Sequence, residues 1–240
     1  MKIDFSYGFF TFRDYWLSKS CKFIDCMRLV SYKGGVDFSP LFFIKKDKRS
    51  VRNDLGLNES ELWSLLKKNT RNEINKIKKD NLQYFVNKIT LDDFVSKYNH
   101  FIDIKNLPIA RLSHKRLYKY KNNLAFHSVH NGNDWIAIHV YLVFENYSEL
   151  LYSITNERIE NKISGMANKS LHWFDICSFK SNDINVLDWG GIPLDSSLDG
   201  ISKFKLSFGG DDVIYSEYYS PFYFLADFLR AKYVKFNNKC

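Results

Sequence analysis

The stretch LAFHSVHNGNDWIAIHVYLVFENYSELLYSI, Leu124 to Ile154, decides the fold. Its first part, Leu124 to His130, runs into Asn131-Gly132, a pair that accepts the positive φ of a tight hairpin turn. From Trp135 to Phe144 the residues alternate, with Ile136, Ile138, Val140, Leu142 and Phe144 on one side and Trp135, Ala137, His139, Tyr141 and Val143 on the other. That is the period of a strand. A turn at Asn146-Tyr147 leads into Glu149 to Ile154, so the three segments predict an antiparallel meander. A connection from Thr155 to Ser164 follows, then a predicted helix from about Gly165 to Ser181 and a strand, Ile184 to Trp189, ending in Gly190-Gly191. A strand returned by one helix lies parallel beside the third, which makes the sheet mixed with one crossover.

Upstream, Phe23 to Val30 and Leu41 to Ile44 read as two strands on either side of Gly34-Gly35. Asn58 and Glu61 have capping-box spacing ahead of an amphipathic helix to about Lys79, with Leu62, Leu65, Leu66, Ile74 and Ile77 as its apolar positions. Leu82 to Val86 reads as a strand, and Thr90 with Asp93 opens a second helix that ends before Pro108. Ser113 to Tyr120 reads as a third, basic helix with interleaved tyrosines. Downstream come a short helix near Ser197 to Lys203, a tyrosine-rich strand from Val213 to Tyr219, and a helix from Pro221, a favoured first helical residue, to about Lys232. The class is α+β around a mixed sheet, with residues 1–80 as an N-terminal subdomain packed on a core of residues 81–240.

The 240 residues are 45% hydrophobic and 26% charged, a balance that excludes wholesale disorder and fibrous repeats. No apolar run approaches the roughly 20 residues that span a bilayer, and the start lacks a cleavable signal pattern, so the expectation is a cytoplasmic protein without a membrane partner. A net charge of +8 suits anionic ligands without requiring nucleic acid. Cys21, Cys26, Cys177 and Cys240 match neither a zinc pattern nor a disulfide framework, so no metal is expected.

The element order resembles the GNAT acyltransferase fold. The segments Gly165-Met166-Ala167-Asn168-Lys169-Ser170-Leu171-His172-Trp173 and Leu187-Asp188-Trp189-Gly190-Gly191-Ile192 resemble two stretches of its Fem-like branch. The stretch from Leu198-Asp199 to Gly209-Gly210, with Phe204-Lys205 inside it, resembles a third, and the helix carrying Arg71 and Ile74 a weaker fourth. The resemblance implies a mostly antiparallel sheet in which the parallel pair, Glu149 to Ile154 and Ile184 to Trp189, splays to admit an acyl donor. Fem enzymes that build peptidoglycan carry two such units and are longer, whereas this chain has room for one unit and a partial subdomain. Single-unit relatives include N-acyltransferases that acylate dTDP-amino sugars from acyl-CoA for surface polysaccharides.

Acyl transfer to an amine needs a neutral amine, a polarised carbonyl and a place for the donor's phosphates. With acyl-CoA (acetyl-CoA or a short hydroxyacyl-CoA) as co-substrate, the resemblance places its pyrophosphate at the N–H groups of Met166, Ala167 and Asn168 beside Arg158, Lys162 and Lys169, with Tyr152 on the neighbouring strand. Asp188 either handles the amine proton or caps the Gly190-Gly191 turn. His172 is either a base or a packed imidazole, and Tyr215 a candidate acid toward the leaving thiolate. His127, His139, Tyr141, Trp189, Lys205 and Asp211 are candidates for the acceptor. His139 lines the cleft if its strand face is open and is a satisfied core residue if a helix covers it. The leading expectation is a CoA-dependent N-acyltransferase acting on a nucleotide-linked amino sugar, with a homodimer as the candidate assembly. The alternatives are an aminoacyl-tRNA-dependent transferase, for which Arg111 to Lys121 would meet RNA, and a non-catalytic nucleic-acid-binding scaffold.

Overall fold

The computed structural model describes residues 1–7, 10–194 and 200–237, and the elements are mixed α and β. The expected helix start at Ser197 and the motif residues Leu198 and Asp199 lie outside the described residues. Two compact units divide the chain: residues 1–49 with 214–240, and residues 50–213. This differs from a division at residue 80, because the helices of residues 59–77 pack into the second unit and the C-terminal segment belongs to the first.

In the first unit, β1 (Lys2–Tyr7) and β2 (Phe10–Trp16) form an antiparallel pair, Lys2 opposite Tyr15. β3 (Val30–Lys33) runs parallel to β2 and antiparallel to β10 (Asp211–Tyr219), with Tyr218 opposite Tyr32. The expected strand at Phe23 to Val30 is replaced by a 3-10 turn, Phe23–Met27. The cause is Asp25, which is buried and accepts a 2.7 Å hydrogen bond from Tyr32, a contact an extended strand would not make. Leu41 and Phe42 lie in a turn before β4 (Ile44–Asp54), which crosses into the second unit. The unit closes with α7 (Pro221–Asn237).

In the second unit the strand order is β4, β9 (Val186–Ile192), β8 (Tyr147–Thr155), β7 (Asp134–Phe144), β6 (Leu124–Asn131), β5 (Gln83–Val86). The meander and the parallel β8–β9 pair stand as the alternation predicts. Asn58 forms the expected capping box with Glu61, but the helix breaks at residues 66–67 into α1 (Glu59–Leu65) and α2 (Lys68–Ile77). Thr90 caps α3 (Leu91–Lys105) through the Asp93 N–H. The basic stretch contributes α4 (His114–Tyr118). One sheet face packs Ile138, Val140 and Ile154 against Phe94 of α3 and Leu117 of α4. α5 (Asn161–Ser181) covers the other, and α6 (Gly200–Leu206) follows β9. Among the described residues no helix is long and apolar enough to cross a membrane.

Candidate functional site

The β8–β9 ladder pairs Tyr147 with Val186, Ser148 with Leu187 and Glu149 with Asp188, and both strands continue beyond those pairs. A cavity of about 320 Å³ lies past that point, lined by Leu150 and Ser153 of β8, Trp189 of β9, Asn168 and His172 of α5, and Phe204 and Lys205 of α6. A bulge shapes its wall. Val140 faces Tyr152 and Tyr141 faces Leu150, which leaves Leu151 as the extra residue of β8. Leu150 and Ser153 therefore share the cavity side. Tyr152 turns to the opposite face, with its ring 4.9 Å from that of Tyr98, which corrects its expected place beside the donor.

Gly190 fixes the other wall. Its φ is +69°, and a Cβ there would lie 2.6 Å from the Leu150 carbonyl oxygen. Lys205 donates to the carbonyls of Gly190 and Gly191 at 3.1 and 3.0 Å, and so rivets α6 to this turn. Gly190→Ala is expected to cost about 1–3 kcal/mol from backbone strain alone, with the clash adding to it. Urea denaturation measures the loss, and an unchanged midpoint would contradict the tight approach.

Asp188 is fully buried beneath that turn. It accepts from the Gly190 N–H at 2.8 Å, from Arg52 Nε at 2.7 Å, from the Tyr147 hydroxyl at 2.8 Å and from Ser50. Of the two readings of Asp188, this geometry is that of a turn cap held in an ion pair, and the residue does not line the cavity. Asp188→Asn leaves Arg52 without its carboxylate and is expected to destabilise by about 3–5 kcal/mol. Activity would fall in step with folded protein; a fully folded but inactive variant would instead return Asp188 to the chemistry.

Behind the cavity lies a buried polar cluster centred on Asp175, which the sequence reading passed over. Its oxygens accept from His127 Nδ1 at 2.7 Å, His139 Nδ1 at 2.6 Å and the Tyr141 hydroxyl at 2.6 Å. Burial opposes ionisation, but the two imidazoles outweigh it and hold the carboxyl well below the ordinary carboxylate range. Burial and then the Asp175 charge push the Tyr141 hydroxyl well up. His139 Nε2 lies 2.8 Å from Asn168 Oδ1, so an uninterrupted bonded path runs from Asp175 through His139 to a cavity-lining side chain. His127, His139 and Tyr141 thus face the covering helix, the core alternative of the two readings. The signal for Asp175 was present in the sequence: Asn168, His172 and Asp175 recur at i, i+4 and i+7, one helix face.

His172 completes the site. Its ring is stacked 3.9 Å from His139 and lies 4.6 Å from Trp189, with Phe204 and Phe208 closing around it. Neither ring nitrogen has a hydrogen-bond partner among the described residues. Burial, reinforced by His139 and Lys205 against the pull of Asp175, lowers its pKa well below the usual imidazole value, so it is neutral at pH 7. Ligand atoms of His139, His172 and Asp175 come within 4.8 Å of one another, but those of His139 and Asp175 are already bonded together.

The remaining predicted residues scatter. α5 begins at Asn161, not Gly165, and its ladder is closed by Ser164 N–H onto the Glu160 carbonyl. The N–H groups of Met166, Ala167 and Asn168 are therefore inside the helix and not free for phosphate, and the side chains of Met166 and Ala167 pack in the core. Lys169 pairs with Glu73 at 2.6 Å. Lys162 is exposed in the first turn, and Arg158 lies on a separate hollow with Lys97 and Trp135. Asp211 is exposed, and Tyr215 belongs to the first unit, where it packs beside Gly35. Trp189 and Lys205 line the cavity.

No family model matches the sequence, and no curated protein does. Solved structures do. FemX superposes with a TM-score of 0.62 at 10% identity, over 93% of this chain and 85% of that one. The fold is Fem-like. The C-terminal domain of a putative lysylphosphatidylglycerol synthetase from Agrobacterium fabrum follows at 0.58 and 10%, over 91% and 80%. L-PGS from Bacillus licheniformis gives 0.55 and 10%, over 80% and 68%.

Proposed function

We propose that this protein is an acyltransferase that moves an activated acyl group onto an amine by direct attack inside the cavity between β8, β9, α5 and α6. The observation that carries this reading is His172, a neutral imidazole with no hydrogen-bond partner among the described residues, on the wall of a cavity that opens where the parallel ladder stops. The tetrahedral intermediate needs a proton acceptor at the amine and donors at the oxyanion. His172 takes the amine proton as the C–N bond forms, and backbone groups of β8 beyond Glu149 face the acyl carbonyl; collapse breaks the bond from the acyl carbon to its carrier, and the departing group takes the proton back from the His172 imidazolium. Phe204 and Trp189 shield the reacting atoms from water, which strengthens those dipoles.

For the donor we propose an acyl-CoA, and for the acceptor a nucleotide-linked amino sugar. Donor phosphates would meet the first turn of α5, where Asn161, Lys162 and Ile163 keep unbonded N–H groups, in place of Met166 to Asn168. A second reading, transfer from an aminoacyl-tRNA, draws on the likeness to FemX along 93% of the chain. Calorimetric titration with acetyl-CoA and with alanyl-tRNA separates the two. Binding of acetyl-CoA that Phe204→Ala weakens supports the first, and binding of the tRNA alone replaces it with the second.

A further inference from the structure

The charge of the chain is unevenly divided. Residues 1–49 and 214–240 hold 14 Lys and Arg against 7 Asp and Glu, a net +7, whereas residues 50–213 hold 21 against 20, a net +1. The basic unit also exposes large apolar side chains. On the 3-10 turn, Phe23 is 70% and Met27 66% exposed, and Leu41 and Phe42 stand out equally far. The Phe23 and Phe42 rings meet edge-on at 6.1 Å, so the two turns form one surface.

α7 extends it. Tyr223 points inward and donates to Asp14 at 2.9 Å, while Phe222, Leu225, Phe228 and Leu229 are exposed. At 100° per residue those four share an arc of roughly 120° on the side away from Tyr223. The helix thus presents an apolar face outward. It packs against the 3-10 turn, and Ser220, just before it, bonds the Arg28 carbonyl. Basic side chains border this surface: Lys19, Lys22 and Arg28 are exposed beside the turn, and Lys46 Nζ lies 4.9 Å over the Phe224 ring of α7.

We infer that the first unit docks on an anionic phospholipid surface, with the 3-10 turn, Leu41-Phe42 and the outer face of α7 entering the interface and Lys19, Lys22 and Lys46 meeting head groups. Contiguous exposed apolar patches mark interaction sites, and a basic apolar surface suits the boundary between head groups and acyl chains. Charge decides among occupants. Two copies would bring +7 against +7, and the exposed phenylalanines stand among Met27, Leu41, Leu225 and Leu229, an aliphatic surface that acyl chains cover and stacked bases do not. Docking of this kind replaces the expectation of no membrane partner.

Sedimentation of the full chain with vesicles tests it, comparing phosphatidylcholine alone with phosphatidylcholine carrying about 30% phosphatidylglycerol. The anionic vesicles are expected to bind at least about tenfold more tightly, and Lys19→Glu with Lys22→Glu to weaken that binding about tenfold or more at an unchanged melting temperature. Phe23→Ser, Phe42→Ser, Leu225→Ser and Leu229→Ser together should abolish it. The charge pair, which leaves every apolar contact in place, remains decisive if the four-site variant fails to fold. Equal binding to both vesicles, no binding to either, or light scattering that shows a dimer dissolved by the serine substitutions would overturn the inference.

Discussion

Replacing His172 by phenylalanine is expected to reduce amine acylation by about 10²–10⁴-fold, the range for loss of a positioned proton acceptor. Phenylalanine fills the aromatic cage of His139, Trp189, Phe204 and Phe208 without restoring a base, so stability at pH 7 should change far less than turnover. Stability against pH gives a second readout. The pKa of His172 is depressed in the fold, so below the unfolded value of about 6.5 the unfolded chain binds a proton that the folded chain refuses. Stability from this group is full above that pH and falls as pH drops, by up to about 1.4 kcal/mol per pH unit. Urea denaturation between pH 7 and 5 should show a shallower fall for His172→Phe. An equally steep fall would mean that His172 is protonated in the fold, and the base assignment would be lost.

Asp175→Asn is expected to destabilise as much as Asp188→Asn, by about 3–5 kcal/mol. One amide oxygen replaces two carboxylate oxygens that accept from His127, His139 and Tyr141, and the amide NH₂ meets donors at distances of 2.6 to 2.7 Å. The pKa of Asp175 is depressed in the fold, so its contribution is present above the unfolded carboxyl value of about 3.9 and is lost as pH falls below it. The loss on mutation should therefore be large at pH 7 and shrink as pH drops below about 4. A variant as stable as the parent at pH 7 would show that Asp175 is not the anchor of the cluster.

Much of the architecture was legible because it rests on local rules. The alternation of Trp135 to Phe144, the Asn131-Gly132 turn and the Asn58 and Thr90 caps each act within a few residues, and each stands in the structure. The misses share a cause, in that they depend on contacts distant in sequence. Nothing near Leu151 announces the bulge that turns Tyr152 away, and Phe23 to Met27 coils because Asp25 finds Tyr32. No side chain caps the start of α5, so Gly165 stood in for Asn161, and the free N–H groups lie five residues earlier than expected. Asp188 was placed at the right strand end, but its partners Ser50, Arg52 and Tyr147 come from two other strands. His172 stands out in the sequence as a lone imidazole, and only the packing shows why it is neutral and has no hydrogen-bond partner among the described residues.

The most direct test of amine acylation at this cavity is product formation by mass spectrometry, with acetyl-CoA and a panel of dTDP-amino sugars, for the parent chain and for His172→Phe. The account predicts an acetylated amino sugar from the parent and a yield at least about a hundredfold lower from the variant. Equal yields from the two proteins would contradict it, as would no transfer from either acetyl-CoA or an aminoacyl-tRNA.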